Sequence, residues 1–203
     1  MAKKLASLKI KKVGLVIKHH QPKATALASE ITAFLISKKI QVCFSEESAL
    51  IARDQIRVLG CGKKQIRILE KPDLVDHCDL IVVLGGDGTF LSIARLMRSQ
   101  SVPIMGINMG QLGFLTEIKK NEAIFTLSDI LEGLPPVINH RSLLEVTLQR
   151  KNKIVFQGPV VNDAVVSKGA IARIIGLEVW VNDKWVHQVR ADGLIVSTTT
   201  GSS

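Results

Sequence analysis

A run of five apolar residues, Leu80–Leu84, leads directly into the glycine-rich segment Gly85–Thr89. A short continuous apolar run predicts a strand that is buried on both faces, as in a parallel sheet. The glycines allow the backbone to turn sharply, and Thr89 is a residue type that can begin a helix, which we predict to end near Arg98. The pattern therefore predicts a strand, a tight turn and a helix in immediate succession.

The first part of the chain alternates between strand and helix patterns. Val13–Ile17 and Ile40–Phe44 have the composition of strands, and a further strand is predicted through Ile107. Between the first two strands, apolar residues recur at helical spacing in a segment that starts at Ala24. This order is typical of an open, mainly parallel, Rossmann-like α/β sheet, in which ligands bind beyond the carboxyl ends of the strands. Gly85–Thr89 falls at such an end.

Helical spacing disappears after Pro135 and Pro136, and the apolar residues alternate instead. This alternation predicts half-buried strands around residues 144–148 and 177–181, and Asn182-Asp183 is typical of a turn. We therefore predict an α/β domain over residues 1–136 and an all-β, sandwich-type domain over residues 137–203. Because a β-sandwich usually needs about 100 residues, the second domain is predicted to be incomplete at its C-terminus.

The formal net charge of +9 raises the question of a nucleic-acid partner. The lysines are spread along the chain, and without tyrosines there are few aromatic rings to stack on bases, so we predict no nucleic-acid partner. A diffuse basic surface that attracts a phosphate-bearing substrate explains the charge equally well.

Hydropathy and cysteine content predict a cytoplasmic protein with no membrane partner. No apolar segment approaches the roughly 18 residues that a membrane span needs, and Lys9, Lys11 and Lys12 interrupt any apolar leader. Cys43 and Cys78 stand among apolar residues, which predicts that they are small core residues in a reducing compartment.

Asp87 is the acid at the centre of the glycine turn. A strand, a glycine turn and a helix N-terminus form an anion-binding arrangement, so a carboxylate there indicates either a metal ion or a proton to be abstracted. The P-loop and dinucleotide signatures do not match, because no lysine follows at the required spacing and Leu91 stands in place of the third glycine. A simpler alternative is that Asp87 caps the next helix.

Four segments, taken in order, resemble the NAD kinase family. They are Gly85–Thr89, Asn108–Leu115, Asn162-Asp163, and Arg190–Thr198 continuing to Ser202. The first segment is shared with diacylglycerol kinases and phosphofructokinases, whereas the second and the fourth are more particular. The resemblance implies an α/β domain and a β-sandwich domain with a dinucleotide between them.

The resemblance also implies an activity. A member of this family phosphorylates the 2′-hydroxyl of the adenosine ribose of NAD to give NADP, with ATP or polyphosphate as the donor and a divalent cation, Mg²⁺. It further implies a homo-oligomer, a dimer or a tetramer, in which neighbouring subunits help to complete the site.

Asp87 corresponds to the family's catalytic aspartate, the proton acceptor from the ribose hydroxyl. The positions that correspond to nucleotide-binding residues are Gly88, Phe114, Asn162, Asp163, Arg173, Arg190, Asp192 and Ser203. The resemblance places a close backbone approach at Gly88, an aromatic contact at Phe114, adenosine hydrogen bonds at Asn162-Asp163, and a nicotinamide-side contact at Asp192. It places the two arginines near phosphate groups.

Several residues of these segments have an ordinary alternative. Phe114 and Leu115 are compatible with core positions, which for Leu115 is the favoured interpretation. Asn162-Asp163 is also compatible with a simple turn, and the two arginines with solvated surface charges.

The C-terminal residues depart from the family's Thr-Pro-Thr-Gly-Ser-Thr-Ala-Tyr segment. Thr199 replaces the proline, Ser203 replaces a threonine, and the Ala-Tyr pair is absent. We therefore expect either part of a longer protein or a truncated relative. Two further functions stay open: a kinase for a lipid or sugar hydroxyl that shares the Gly-Gly-Asp-Gly motif, and a non-catalytic fragment that binds a dinucleotide or forms oligomers.

Overall fold

The computed structural model describes residues 9–18, 21–58, 65–97, 102–110, 113–134, 137–169 and 173–202. The chain divides into two compact units, Met1–Asn139, called unit 1, and His140–Ser203, called unit 2. The predicted domain boundary after residue 136 lies close to this division, and the assignment of the units as separate domains stays a prediction.

Unit 1 alternates strands and helices around one parallel sheet. Its strands are β1 (Lys12–Ile17), β2 (Gln41–Ser45), β3 (Ile66–Leu69), β4 (Leu80–Gly85), β5 (Ile104–Asn108) and β6 (Ile118–Lys119). Its helices are α1 (Pro22–Ser37), α2 (Glu46–Ile51), α3 (Arg53–Val58), α4 (Lys71–His77), α5 (Asp87–Ala94) and α6 (Ala123–Leu131). The strand order is β3-β2-β1-β4-β5-β6, and all neighbours are parallel. The predicted Rossmann-like α/β fold is confirmed.

Two helices begin earlier than predicted. α1 begins at Pro22 rather than Ala24, because a proline at the first helical position sacrifices no hydrogen bond. α5 begins at Asp87 rather than Thr89, because Gly86 already occupies the N-cap position. The predicted end of that helix at Arg98 lies outside the described residues. None of the described helices combines the length and the hydropathy needed to cross a membrane.

β4 is buried along its whole length, because helices cover both faces of the sheet. Leu80, Val82 and Leu84 pack in one cluster with residues of α1 and α6. Ile81 and Val83 pack in the opposite cluster with residues of α4 and α5. The prediction of a strand buried on both faces is confirmed. Both predicted core cysteines, Cys43 and Cys78, are buried and free of disulfides.

Unit 2 consists of antiparallel strand pairs. Its strands are β7 (Leu144–Arg150), β8 (Lys153–Val160), β9 (Asp163–Ser167), β10 (Ile175–Val181), β11 (Lys184–Ala191) and β12 (Gly193–Ser197). β7 pairs with β8, β10 with β11, and β12 with β9. Asn182 and Asp183 join β10 to β11 with φ angles of 50° and 61°, as a two-residue hairpin turn of this kind requires. The all-β prediction is confirmed.

Candidate functional site

The glycine turn after β4 lies where the strand order of the sheet reverses. β1 to β3 extend the sheet to one side and β4 to β6 extend it to the other, so β1 and β4 meet at the centre. In sheets of this topology, ligands bind outside the carboxyl ends of the strands at that reversal. β4 ends there at Gly85, and α5 begins two residues later at Asp87.

The glycines of this turn differ in the space around them. A Cβ atom on Gly85 would lie 2.6 Å from Oγ1 of Thr89, so a side chain would force the turn apart. A Cβ atom on Gly86 or Gly88 would meet no atom within 4 Å. Gly88 is therefore exposed with open space beside its backbone, as a position of close ligand approach needs.

The carboxylate of Asp87 accepts four hydrogen bonds from one loop, residues 113–116. The backbone N–H of Phe114 donates to Oδ2 at 2.9 Å. The backbone N–H groups of Leu115 and Thr116 and the hydroxyl of Thr116 all donate to Oδ1, each at 3.1 Å. Gly86 is the N-cap of α5 and Asp87 is its first residue, and the described hydrogen bonds of the Asp87 carboxylate all go to residues 114–116, so the helix-cap alternative is wrong.

These hydrogen bonds decide the charge of Asp87. Burial raises the pKa of its carboxyl, but the donors of Phe114, Leu115 and Thr116 lower it by more, so the pKa lies below the ordinary value. Asp87 is therefore ionised at neutral pH. Among the described residues, no group of three His, Cys, Asp or Glu side chains is arranged to hold a metal ion.

Gly113 makes room for this carboxylate. A Cβ atom at Gly113 would overlap the Asp87 side chain, with Cγ only 2.7 Å away. Sequence reasoning assigned no role to Gly113 or to Thr116. Gly113 stands inside the Asn108–Leu115 segment, so the family resemblance of that segment was a signal that could have found it. Thr116 follows that segment, and one sequence gives no sign of its contact with Asp87.

Phe114 and Leu115 are neighbours with opposite environments. The side chain of Phe114 is 77% exposed, whereas that of Leu115 is buried. The core alternative is therefore wrong for Phe114 and confirmed for Leu115. Phe114 thus donates its backbone N–H to the carboxylate while its aromatic side chain is exposed.

In unit 2, Asn162 is brought together with residues 198–201. Its carbonyl oxygen accepts the N–H of Thr198 at 2.8 Å, and a Cβ atom at Gly201 would collide with its backbone. The hydroxyl of Thr198 donates to the carbonyl of Val161 at 2.6 Å. The buried Oδ1 of Asn162 has no hydrogen-bond partner among the described residues.

The other predicted positions of unit 2 that the structure describes are exposed. Asp163 begins β9, and Arg190 stands in β11 opposite Gly176. Asp192 forms an ion pair with Lys168 at 2.7 Å, a partner that sequence reasoning missed. Arg173 precedes β10 and is exposed. Ser203 lies outside the described residues.

Together, the fold and the site define a class of protein. This is an α/β unit with an ionised carboxylate held at the carboxyl end of the central strand of its parallel sheet, followed by an all-β unit. Two family models match it: the ATP-NAD kinase N-terminal domain over residues 13–134 and the ATP-NAD kinase C-terminal domain over residues 161–203. The chain belongs to the NAD kinase family.

Individual relatives agree with the family models. The NAD kinase of Trichlorobacter lovleyi is 42% identical over 194 residues, covering 96% of this chain and 64% of the relative. The NAD kinase of Neisseria meningitidis is 39% identical over 195 residues, covering 94% of this chain and 63% of the relative. The chain thus spans less than two thirds of the length of these curated relatives.

A solved structure has the same fold. The crystal structure of yeast NADH kinase complexed with NADH superposes with a TM-score of 0.82 and 22% sequence identity. The match covers 96% of this chain and 59% of the yeast chain. At that identity the similarity concerns the fold alone.

Proposed function

We propose that the complete protein transfers a phosphoryl group to the 2′-hydroxyl of the adenosine ribose of NAD, giving NADP. The observation that carries the proposal is family membership through both halves of the chain. An ionised aspartate in the Gly-Gly-Asp-Gly turn, at the sheet edge where ligands bind, supports it. The family match favours this acceptor over a lipid or sugar hydroxyl.

In the proposed reaction, Asp87 is the catalytic residue that accepts the hydroxyl proton. The ribose oxygen forms a bond to the terminal phosphorus of the donor, and the bond from that phosphorus to its bridging oxygen breaks. The proton passes to Oδ2 of Asp87, because Oδ2 accepts one hydrogen bond from the loop whereas Oδ1 accepts three.

A carboxylate with a lowered pKa is a weak base, and the proposal accommodates this. Phosphoryl transfer passes through a loose transition state in most analyses, so catalysis depends mainly on positioning and charge stabilisation. The four hydrogen bonds on Asp87 fix its orientation while keeping it ionised and able to accept. Its proposed role is to orient the hydroxyl and to take its proton late in the transfer.

The nucleotide-binding roles carried by the resemblance are part of the proposal. Gly88 and Phe114 in unit 1 would contact the dinucleotide, supported by open space at the first and an exposed ring at the second. Asn162 and Asp163 would bind adenosine on the ground of the family resemblance, and the buried Oδ1 of Asn162, which has no described partner, would gain one if adenosine reached it. Further proposed contacts in unit 2 are Arg173, Arg190, Asp192 and Ser203.

The donor, the cation, the assembly and the location are proposed on family grounds. ATP or polyphosphate would donate the phosphoryl group. Mg²⁺ would accompany the donor, since this ion is commonly bound through substrate phosphates with one or two carboxylates. The protein is proposed to be a cytoplasmic homo-oligomer, a dimer or a tetramer.

The test is NADP formation by the complete protein and by its Asp87→Asn variant, with NAD, ATP and Mg²⁺. We expect turnover by the natural protein and a kcat lower by a factor of about 10² to 10⁴ in the variant. Asp76→Asn is the matched control, because Asp76 is an exposed aspartate of α4, on the same unit. A variant that keeps the natural kcat would refute the role of Asp87.

The melting temperature must be measured alongside the rate. An asparagine at position 87 places an N–H₂ group against at least one of the N–H donors of residues 114–116, so the loop is expected to loosen as well. NAD binding without NADP formation by the natural protein would instead support the non-catalytic alternative. Phosphate found on a lipid or a sugar would support the other kinase alternative.

A further inference from the structure

A chain of buried polar groups connects the end of β5 to the Asp87 carboxylate. The backbone N–H of Gly110 donates to Oδ1 of Asn108 at 2.6 Å. The Nδ2 atom of Asn108 donates to Oγ1 of Thr116 at 3.2 Å, and that hydroxyl donates to Oδ1 of Asp87 at 3.1 Å. The side chains of Asn108 and Thr116 are both buried, so water does not replace these partners.

The groups at the two ends of this series of hydrogen bonds fix the direction of every bond in it. The N–H of Gly110 can only donate, so the oxygen of the Asn108 amide must face it and the NH₂ group must face Thr116. An NH₂ group can only donate as well, so the Thr116 oxygen accepts from it. The one hydroxyl hydrogen of Thr116 is then directed at the ionised Asp87, which can only accept.

The two oxygens of the Asp87 carboxylate therefore accept different numbers of hydrogen bonds. Oδ1 is held by three donors, of which the Thr116 hydroxyl is the only side chain among the described hydrogen bonds. Oδ2 is held by the Phe114 N–H. A half-turn about the Cβ–Cγ bond only exchanges two chemically equivalent oxygens, whereas a smaller rotation lengthens or bends these hydrogen bonds. The donors therefore hold the plane of the carboxylate.

We propose that Thr116 is a positioning residue for the reaction: its hydroxyl, oriented by Asn108, locks Oδ1 of Asp87 and so presents Oδ2 to the acceptor hydroxyl. This inference rests on the proposed function, in which Asp87 takes the ribose proton. Thr116 acts through Asp87 and touches no substrate. Asn108 acts one step further away, by setting the direction of the Thr116 hydroxyl.

The backbone donors alone do not provide the same lock. Without the hydroxyl, Oδ1 keeps the N–H groups of Leu115 and Thr116, and Asn108 loses its acceptor at Thr116. With one donor fewer on Oδ1, the plane of the carboxylate is held less tightly and samples a wider range of rotation about the Cβ–Cγ bond. The base would then be misaligned with the acceptor hydroxyl, so kcat falls. The dinucleotide contacts elsewhere are unchanged, so KM for NAD stays nearly the same.

The experiment compares Thr116→Val with Thr116→Ser in the complete protein, by the rate of NADP formation. Valine keeps the shape of threonine and removes the hydroxyl, whereas serine keeps the hydroxyl and removes the methyl group. We expect kcat to fall about 10- to 100-fold in Thr116→Val, with KM for NAD changed less than roughly threefold. Thr116→Ser should keep kcat within roughly threefold of the natural protein.

A second pair of variants keeps the test valid if the valine variant fails to fold. Thr116→Ala and Thr116→Ser both lack the methyl group and differ by the hydroxyl oxygen alone, so the same kcat ratio is expected between them. Equal kcat values in serine and valine variants, or in serine and alanine variants, would overturn the inference while NADP formation by the natural protein upholds the proposed function. No NADP from the natural protein would overturn both.

Discussion

The two units differ in how far their apolar side chains are buried. In unit 1, all residues of β4 are buried, and clusters of apolar side chains cover both faces of the parallel sheet. In unit 2, the buried side chains in the part of the chain that the structure describes are Val161 and Thr198 alone. Large apolar side chains of β8 to β12, such as Val165, Trp180 and Ile195, are more than half exposed.

The two units therefore support their candidate site residues to different degrees. A six-stranded sheet covered by helices gives Asp87 and its loop a rigid base, whereas a two-stranded sheet alone is marginal in water. The described contacts of unit 2 are therefore expected to supply less stability than those of unit 1. The described hydrogen bonds of Asp87 all come from unit 1, whereas Asn162 and Asp192 stand among strand pairs with few buried neighbours among the described residues.

The largest expected effect comes from filling the space behind the Asp87 carboxylate. Gly113→Ala places a Cβ atom on that carboxylate, so we expect kcat for NADP formation to fall about 100-fold. The free energy of unfolding should fall by about 1–3 kcal/mol from the same overlap. Gly110→Ala is the control within the same Asn108–Leu115 segment, because its Cβ atom would meet nothing within 4 Å. Similar activities in the two variants would contradict the geometry of this loop.

Matched valine truncations test the comparison of the units directly. Val82 in β4 is fully buried and Val165 in β9 is 59% exposed. We expect Val82→Ala to cost about 2 kcal/mol of unfolding free energy, from lost burial and a residual cavity. Val165→Ala should cost less than about 0.5 kcal/mol. Denaturant unfolding of the complete protein measures both, and equal costs would mean that Val165 is covered there.

The pH dependence of stability should show the charge of Asp87. Because its pKa is lower in the folded state, its contribution is fully present above the unfolded value of about 3.9 and is lost as pH falls through the folded value. The stability difference between the natural protein and Asp87→Asn should therefore stay constant from about pH 5 to 8 and shrink below about pH 4. A difference that grows on acidification would contradict the hydrogen-bond assignment.

The smallest effect is expected at the ion pair of unit 2. Both Lys168 and Asp192 are partly exposed, and exposed pairs contribute about 0–1 kcal/mol. Lys168→Met should therefore change the unfolding free energy by less than about 1 kcal/mol, and less again in 1 M salt. Thermal unfolding at low and high salt provides the measurement. A larger loss that salt does not reduce would show that Lys168 has a packing role.

The sequence was sufficient where a structural feature is local. The apolar run Leu80–Leu84, the glycine turn after it and the Asn182-Asp183 turn each follow from neighbouring residues, and all three were predicted. The alternating pattern around residues 144–148 and 177–181 predicted β7 and β10 for the same reason.

The sequence was insufficient where contacts join distant segments. The hydrogen bonds of Asp87 reach 27 to 29 residues along the chain, and nothing in the local pattern pairs it with Thr116. The N-cap hypothesis failed for that reason, since it considered only the neighbours of Asp87. The pairing of β9 with β12 and the ion pair of Asp192 with Lys168 are likewise long-range, so a single sequence did not reveal them.

The most direct test of the account is the identity of the product. The complete protein would be incubated with NAD, ATP and Mg²⁺, and the product analysed by phosphorus NMR and mass spectrometry. We expect one new phosphate monoester, on the 2′-oxygen of the adenosine ribose, formed in proportion to ADP. Phosphate on any other oxygen, or ADP formed without a phosphorylated dinucleotide, would contradict it.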